Sequence, residues 1–343
     1  MRAAVLRRGA LVVDTLPDPE PGPGEVLVRT LACGICGSDL HALRHLDALV
    51  EAARESGVPF VLDPARDVVM GHEFCAEIVS FGPDTQRSLR PGTRVVSMPL
   101  AVGPSGVQGV GYSNDYPGGY GELMRLSELF LLPVPNGLAA EHAALTEPMA
   151  VGVHAVAKAG LAPGDAPLIV GCGPVGLAVI AALTLRGAEP IVAADFSPTR
   201  RALAERLGAH VVVDPAVRPA IEAWRAVAGA RPAVIFECVG APGLLDRIMR
   251  DAPRGARIVV VGVCMEDDRI RPMRGINKEL AIQFVLGYTP DEFAGTLRDI
   301  AEGRILVEPL VTGRVGVDGV AGAFAALARP DVHAKILVEP GRA

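Results

Sequence analysis

The run Gly171-Cys172-Gly173-Pro174-Val175-Gly176 limits the fold more than any other stretch of this 343-residue chain, because of what stands on either side of it. It follows an apolar, strand-like stretch, Leu168-Ile169-Val170, and opens an apolar, helix-like one beginning at Leu177. A second strand-like stretch, Ile191-Val192-Ala193-Ala194, then ends at Asp195. The pattern G-x-G-x-x-G is weak alone. Between a strand and a helix, its glycines permit a tight turn and let backbone amides approach a pyrophosphate at the helix N-terminus. Gly171, Gly173, Pro174, Val175 and Gly176 are therefore expected to cradle a dinucleotide, with Cys172 filling space. Asp195 is expected to accept hydrogen bonds from the adenosine ribose and to repel a 2′-phosphate, which favours NAD over NADP. Arg200 and Arg201 pull the other way, since guanidinium groups just after Asp195 can hold a phosphate; the carboxylate is expected to dominate, with Arg200 in the cofactor site. The plainer alternative is a glycine turn that binds no nucleotide.

The text around this loop reads as short apolar strands alternating with helices: Val211-Val213, Val234-Phe236 and Ile258-Val261 continue the series. That alternation predicts βαβ units and a doubly wound parallel sheet over residues 149–288. Residues 1–148 instead show short alternating runs such as Glu25-Val26-Leu27-Val28-Arg29, joined by turns, and read as mainly β. Residues 289–343 contain one helix-like piece, Asp291-Ala301, then strand-and-turn text ending in Ala334-Lys335-Ile336-Leu337-Val338. The tail is expected to pack back on the first part, giving an α/β chain with the parallel-sheet domain inserted in a mainly-β one.

Composition excludes several classes. A net charge of −6 with scattered Lys and Arg gives no footprint for nucleic acid or an anionic membrane, so small molecules are the expected partners. Residues 166–185 carry no charge, but the glycines and proline in their middle break them into strand, turn and helix rather than a membrane span. The start shows no signal-peptide core, and six dispersed cysteines read as free thiols; both predict a cytoplasmic protein.

Two of those cysteines form a single C-x-x-C, Cys33-Gly34-Ile35-Cys36, with no second pair to close a four-thiolate zinc site. Ser38, His41 and the motif Gly71-His72-Glu73 follow, placing a hydroxyl, two imidazoles and a carboxylate close in sequence. The succession Cys33-x-x-Cys36-x-Ser38-x-x-His41, Gly71-His72-Glu73, Glu147-Pro148-Met149-Ala150-Val151-Gly152-Val153-His154 and the glycine loop resembles the zinc-containing medium-chain dehydrogenase/reductase family over nearly the whole chain. It is most similar to the polyol and threonine dehydrogenase branch, where a Glu-Pro segment like Glu147-Pro148 stands in place of a cysteine.

The resemblance implies a GroES-like catalytic domain (1–148 and 289–343) around a Rossmann domain (149–288). It also implies a zinc-dependent transfer of hydride between an alcohol, such as a secondary alcohol, diol or polyol, and NAD. Cys36 and His72 would bind the zinc, with Glu73 or Glu147 and a water completing the shell. Ser38 and His41 would relay the alcohol proton, and Glu147 joins them as a catalytic residue. A homodimer or homotetramer is expected from the same likeness. Cys33 is expected to be a packed thiol, Asp39 a hydrogen-bonding residue, and His45, His142, His154 and His210 structural.

Two departures stand out. No cysteine lies between Cys75 and Cys172, where many relatives carry a structural-zinc lobe, so one catalytic zinc per chain is expected, with a flexible glycine-rich loop over residues 101–111. The spacer of residues 42–70 is long. Leu40, Leu43, Leu46, Leu49 and Val50 fall at helical spacing and predict a helix through about Arg54, either rimming the substrate site or only covering a core edge. Two rival functions remain: a physiological ketone or aldehyde reductase with the same site, and a nucleotide-binding protein without turnover.

Overall fold

The computed structural model describes residues 1–57, 62–104, 106–329 and 331–342. Part of the spacer, residues 58–61, and residue 105 of the glycine-rich stretch lie outside the described residues, as do 330 and 343 of the tail.

Six strands form an all-parallel sheet in the order Val211–Val213, Val192–Ala194, Ala166–Val170, Ala233–Glu237, Arg257–Val260, Ala281–Phe284. The first three strands in the chain run outward one way and the last three the other, the doubly wound order with its switch point between Ala166–Val170 and Ala233–Glu237. Alternation decides which face each residue feeds. Ile169, Phe236 and Val259 enter one core with the helices Thr146–Lys158 and Pro174–Leu185, while Leu168, Ile235 and Ile258 enter another with Ala220–Ala228 and Leu244–Asp251. Both faces are therefore covered, as a parallel sheet requires. The first two helices meet closely because Gly152 has no side chain; a Cβ there would stand 2.4 Å from the Ala178 carbonyl carbon.

The second sheet is mainly antiparallel, in the order Val311–Val315, Lys335–Val338, Glu25–Gly34, Glu73–Phe81, Arg94–Ser97, Leu131–Pro133, with Leu123–Ser127 also paired to Glu25–Gly34. The last strand of the chain docks on this sheet: Leu337 pairs with Gly34 and Val338 with Cys33. The expected helix is Gly37–Glu55, kinked at His45, with Leu40, Leu43, Leu46, Leu49 and Val50 packed on the core of this second sheet.

One expectation fails. Residues 101–104 and 106–111 are not a flexible loop: Leu100–Gly103 and Gly106–Gly109 form an antiparallel strand pair. Its anchors are local polar contacts that hydropathy does not reveal, the Val102 amide donating to Ser127 Oγ and Ser113 Oγ donating to Gln108. Among the described residues no helix is long and apolar enough to cross a membrane.

Candidate metal centre and cofactor cleft

Four segments bring polar residues together beside the second, mainly antiparallel sheet. The strand Glu25–Gly34 ends two residues before Cys36, which caps the helix Gly37–Glu55. This short turn separates the two cysteines. Cys33 is fully buried and its thiol is held well above its usual pKa, chiefly by burial, whereas Cys36 is half-buried and lines the cleft. His72 and Glu73 enter at the start of the strand Glu73–Phe81, and Glu147 in the first turn of Thr146–Lys158, where the helix dipole favours a carboxylate. Two glycines make the space. A Cβ on Gly34 would lie 2.0 Å from Glu73 Oε2, and one on Gly71, whose φ is +106°, would press on Cys33 and Tyr120.

One ligand atom each from Cys36, His72 and Glu73 lies within 4.8 Å of the others. Glu147 is buried in the same cleft, and its carboxyl is pushed up to about 7, first by burial and further by the Glu73 charge, against the pull of His72. Asp39 is fully buried behind His72, its Oδ1 3.4 Å from His72 Nδ1. It accepts from the Cys36 amide at 3.0 Å, the Tyr112 hydroxyl at 2.9 Å and the Tyr120 hydroxyl at 2.6 Å. The imidazole is thus oriented by a carboxylate, as metal-ligating histidines usually are.

This donor set fits a zinc ion. A thiol, an imidazole and carboxylates suit a borderline-soft cation. The site also favours a cation, because the Glu73 and Glu147 carboxyls crowd together beside Cys36 and His72.

The cation that the structure does supply is Lys335, 2% exposed, opening the strand Lys335–Val338. Its Nζ donates to both Glu73 oxygens at 2.7 Å and to the Ile35 carbonyl at 3.1 Å. Sequence reasoning missed it, although a lone lysine opening an apolar strand was a usable signal. Tyr288, bonded to Glu147, and Tyr112 were missed because nothing in their spacing marks them.

Cys36, Ser38, His41, Glu73, Glu147 and Lys335 line a cleft of about 890 Å³ that also runs over Gly171, Gly173, Pro174, Val175, Asp195 and Arg200. That volume is at the upper end for small-molecule sites. Gly176 lies below the loop rather than on the cleft; a Cβ there would meet the Gly171 carbonyl oxygen at 1.9 Å. Pro174 is the first helical residue, so the helix begins three residues before the expected Leu177. Asp195 accepts the Cys172 amide at 2.7 Å and the Ser197 amide at 2.8 Å, fixing the loop from the next strand. The two arginines separate: Arg201 donates to the Asp195 and Phe196 carbonyls and pairs with Asp214, whereas Arg200 lines the cleft with a buried Nε that has no hydrogen-bond partner. His154 is tied to Glu292 at 2.7 Å, away from the metal-ligand cluster, in keeping with a structural role.

A zinc-type donor cluster opening on a dinucleotide-sized cleft at the switch point defines a metal-dependent dehydrogenase. Comparison with known proteins agrees. The alcohol dehydrogenase GroES-like domain matches residues 22–136, and the zinc-binding dehydrogenase domain matches residues 174–302. The (R,R)-butanediol dehydrogenase of Bacillus subtilis (strain 168) is 33% identical over 340 residues, 96% of each chain. The sorbitol dehydrogenase of the same organism is 29% identical over 361 residues, 100% of this chain and 98% of that one. Among solved structures, 2R,3R-butanediol dehydrogenase from Bacillus subtilis superposes with a TM-score of 0.84 at 31% identity over 99% of each chain. A zinc-binding dehydrogenase from Sinorhizobium meliloti 1021 bound to NADP superposes with a TM-score of 0.82 at 27% identity, again over 99% of each. The chain belongs to the zinc-dependent medium-chain alcohol dehydrogenases, close to the polyol dehydrogenases, and is an oxidoreductase of alcohols.

Proposed function

We propose that this enzyme oxidises a vicinal diol or other short secondary alcohol with NAD, using one zinc held by Cys36, His72 and Glu147. The observation that carries this reading is the meeting of Cys36, His72 and Glu73 within 4.8 Å in the cleft that reaches the glycine loop. Glu73 has both oxygens on Lys335, which leaves Glu147 as the third ligand at rest and Glu73 as the carboxylate that exchanges with it. Bound zinc lowers the pKa of an alcohol hydroxyl so that an alkoxide exists near neutrality. Ser38 accepts the alcohol proton, and His41 passes it to solvent. Butanediol and sorbitol as substrates of the relatives support the substrate class.

Asp195 favours NAD, since its charge and the removal of Arg201 to Asp214 leave Arg200 as the one guanidinium of that pair facing the cleft. A single zinc fits a chain with no cysteine between Cys75 and Cys172, and a reducing cytoplasm suits a free Cys36 thiol. The catalytic part is residues 1–148 with 289–343, and the cofactor part is 149–288, as the membership of the two sheets supports. The open edge strand Ala281–Phe284, with Phe284 65% and Leu286 76% exposed, supports a homodimer paired edge to edge, or a tetramer of such dimers. Light scattering of Phe284→Asp/Leu286→Asp should give a monomer; an unchanged mass sinks this pairing.

The function is tested by NAD reduction across primary alcohols, secondary alcohols, vicinal diols and sugars. The highest kcat/KM is expected with a vicinal diol, and preference for a primary alcohol contradicts the assignment. His41 adds a pH dependence. Burial lowers its pKa from 6.5, and the His45 and Arg44 charges lower it further. The ring stays neutral, and able to accept a proton, until pH falls below 6.5; alcohol oxidation should decline only there, and His41→Gln should remove that limb of the kcat profile.

A further inference from the structure

Lys335 is a buried ammonium that neither the hydride step nor the proton relay uses. An ammonium has three donors, and here they reach Glu73 Oε1 and Oε2, both at 2.7 Å, and the Ile35 carbonyl at 3.1 Å. Burial works against its charge, but Glu73, Cys36 and Glu147 outweigh that and hold its pKa above the ordinary lysine value. It is therefore a cation resting among the same anionic groups that would surround a zinc ion.

Its second neighbourhood is the cofactor end of the cleft. Lys335 lines the cleft with Gly173 and Pro174, and it shares with Pro174, Pro148 and Met149 a small void of about 10 Å³. Such a void holds about one water, so little solvent stands between Lys335 and Pro174. Pro174 opens the helix whose N-terminus favours a pyrophosphate, and with so little water between them opposite charges attract strongly.

We propose that Lys335 couples the two halves of the active site: a dinucleotide pyrophosphate on the glycine loop draws the ammonium from Glu73, which then joins the zinc, so that cofactor and metal tighten each other's binding. This rests on the reading of Cys36, His72 and Glu147 as zinc ligands, with Glu73 as the exchanging carboxylate. Without dinucleotide, both Glu73 oxygens are committed to Lys335 and are lost to the metal. With it, the ammonium turns to a second anion, and a fully buried carboxylate is left needing another cation. A zinc between Cys36 and His72 is within its reach, since the three ligand atoms lie within 4.8 Å of one another. No proton moves and no covalent bond changes. Lys335 is thus a positioning residue that acts through Glu73.

The test uses ADP-ribose, which carries the pyrophosphate and lacks the nicotinamide. Zinc affinity of wild type, Lys335→Met and Glu73→Gln is measured by chelator competition, with and without saturating ADP-ribose. Calorimetry gives ADP-ribose affinity for zinc-loaded and zinc-stripped wild type. Coupled sites commonly change each other's affinity about 5- to 150-fold, so ADP-ribose should tighten zinc about tenfold in the wild type, and zinc should tighten ADP-ribose by the same factor. Lys335→Met should hold zinc more tightly than the wild type before ADP-ribose is added, and both variants should respond to ADP-ribose less than about twofold. Should Lys335→Met fail to fold, Glu73→Gln and the reciprocal wild-type measurement decide the matter. Wild-type zinc affinity that ignores ADP-ribose, or a response that survives undiminished in either variant, overturns the coupling and leaves the metal centre standing. Full zinc affinity in Cys36→Ala rejects the metal centre itself.

Discussion

Cys36→Ala is expected to contain no zinc and to lose turnover by at least about a thousandfold, equivalent to about 4 kcal/mol of barrier. Cys33→Ala, three residues earlier, should retain both. The two thiols differ only by a short turn, but that turn decides their environment. Cys33 closes a strand inside the core and faces Gly71 and Gly119, whose missing side chains make room for it. Cys36 caps the following helix beside His72, with its thiol on the cleft. Removing Cys33 Sγ leaves a small cavity, costing about 1 kcal/mol and a few degrees of melting temperature. Zinc analysis and NAD reduction on the same preparations check this, and equal losses in the two variants would mean that the wrong thiol has been assigned.

The second large effect is on stability. Lys335→Met strips both Glu73 oxygens of their cationic partner in a site where Glu73 is 0% exposed. Removing one member of a buried pair generally costs about 3–5 kcal/mol, because the remaining charge is left buried and unpaired. Zinc offers that carboxylate another cation. The variant should therefore melt far below the wild type when zinc-free, and zinc should raise its melting temperature by more than it raises the wild type's. Identical melting of variant and wild type would show that the pair holds nothing together.

These two cases also mark how far the sequence could be read. The strand–glycine turn–helix–strand–Asp195 succession was legible because each part has a backbone requirement that few residue types meet; Gly176 under the Gly171 carbonyl is the clearest instance. Cys36, His72 and Glu147 were legible as types of donor in order, and the fold brings Cys36 and His72 together from the end of one strand and the start of its neighbour. What stayed hidden depends on distant pairing. Lys335 reaches Glu73 only because the last strand docks on Glu25–Gly34, although a chain with 33 basic residues and just three lysines, Lys158, Lys278 and Lys335, gave a hint that this position is special. Tyr112 follows a strand pair whose order comes from Ser127 and Gln108 contacts rather than from any periodic pattern. The strand Ala281–Phe284 was not read because its side chains are largely exposed and lack a core signature.

Alcohol oxidation linked to NAD is expected to depend on a zinc held by Cys36, His72 and a carboxylate. This dependence is tested most directly by stripping the purified enzyme with a chelator, measuring residual metal and NAD reduction with a vicinal diol, and then adding zinc back. Activity should fall in proportion to lost zinc and return on reconstitution at one ion per chain. Full activity in zinc-free protein would contradict the account.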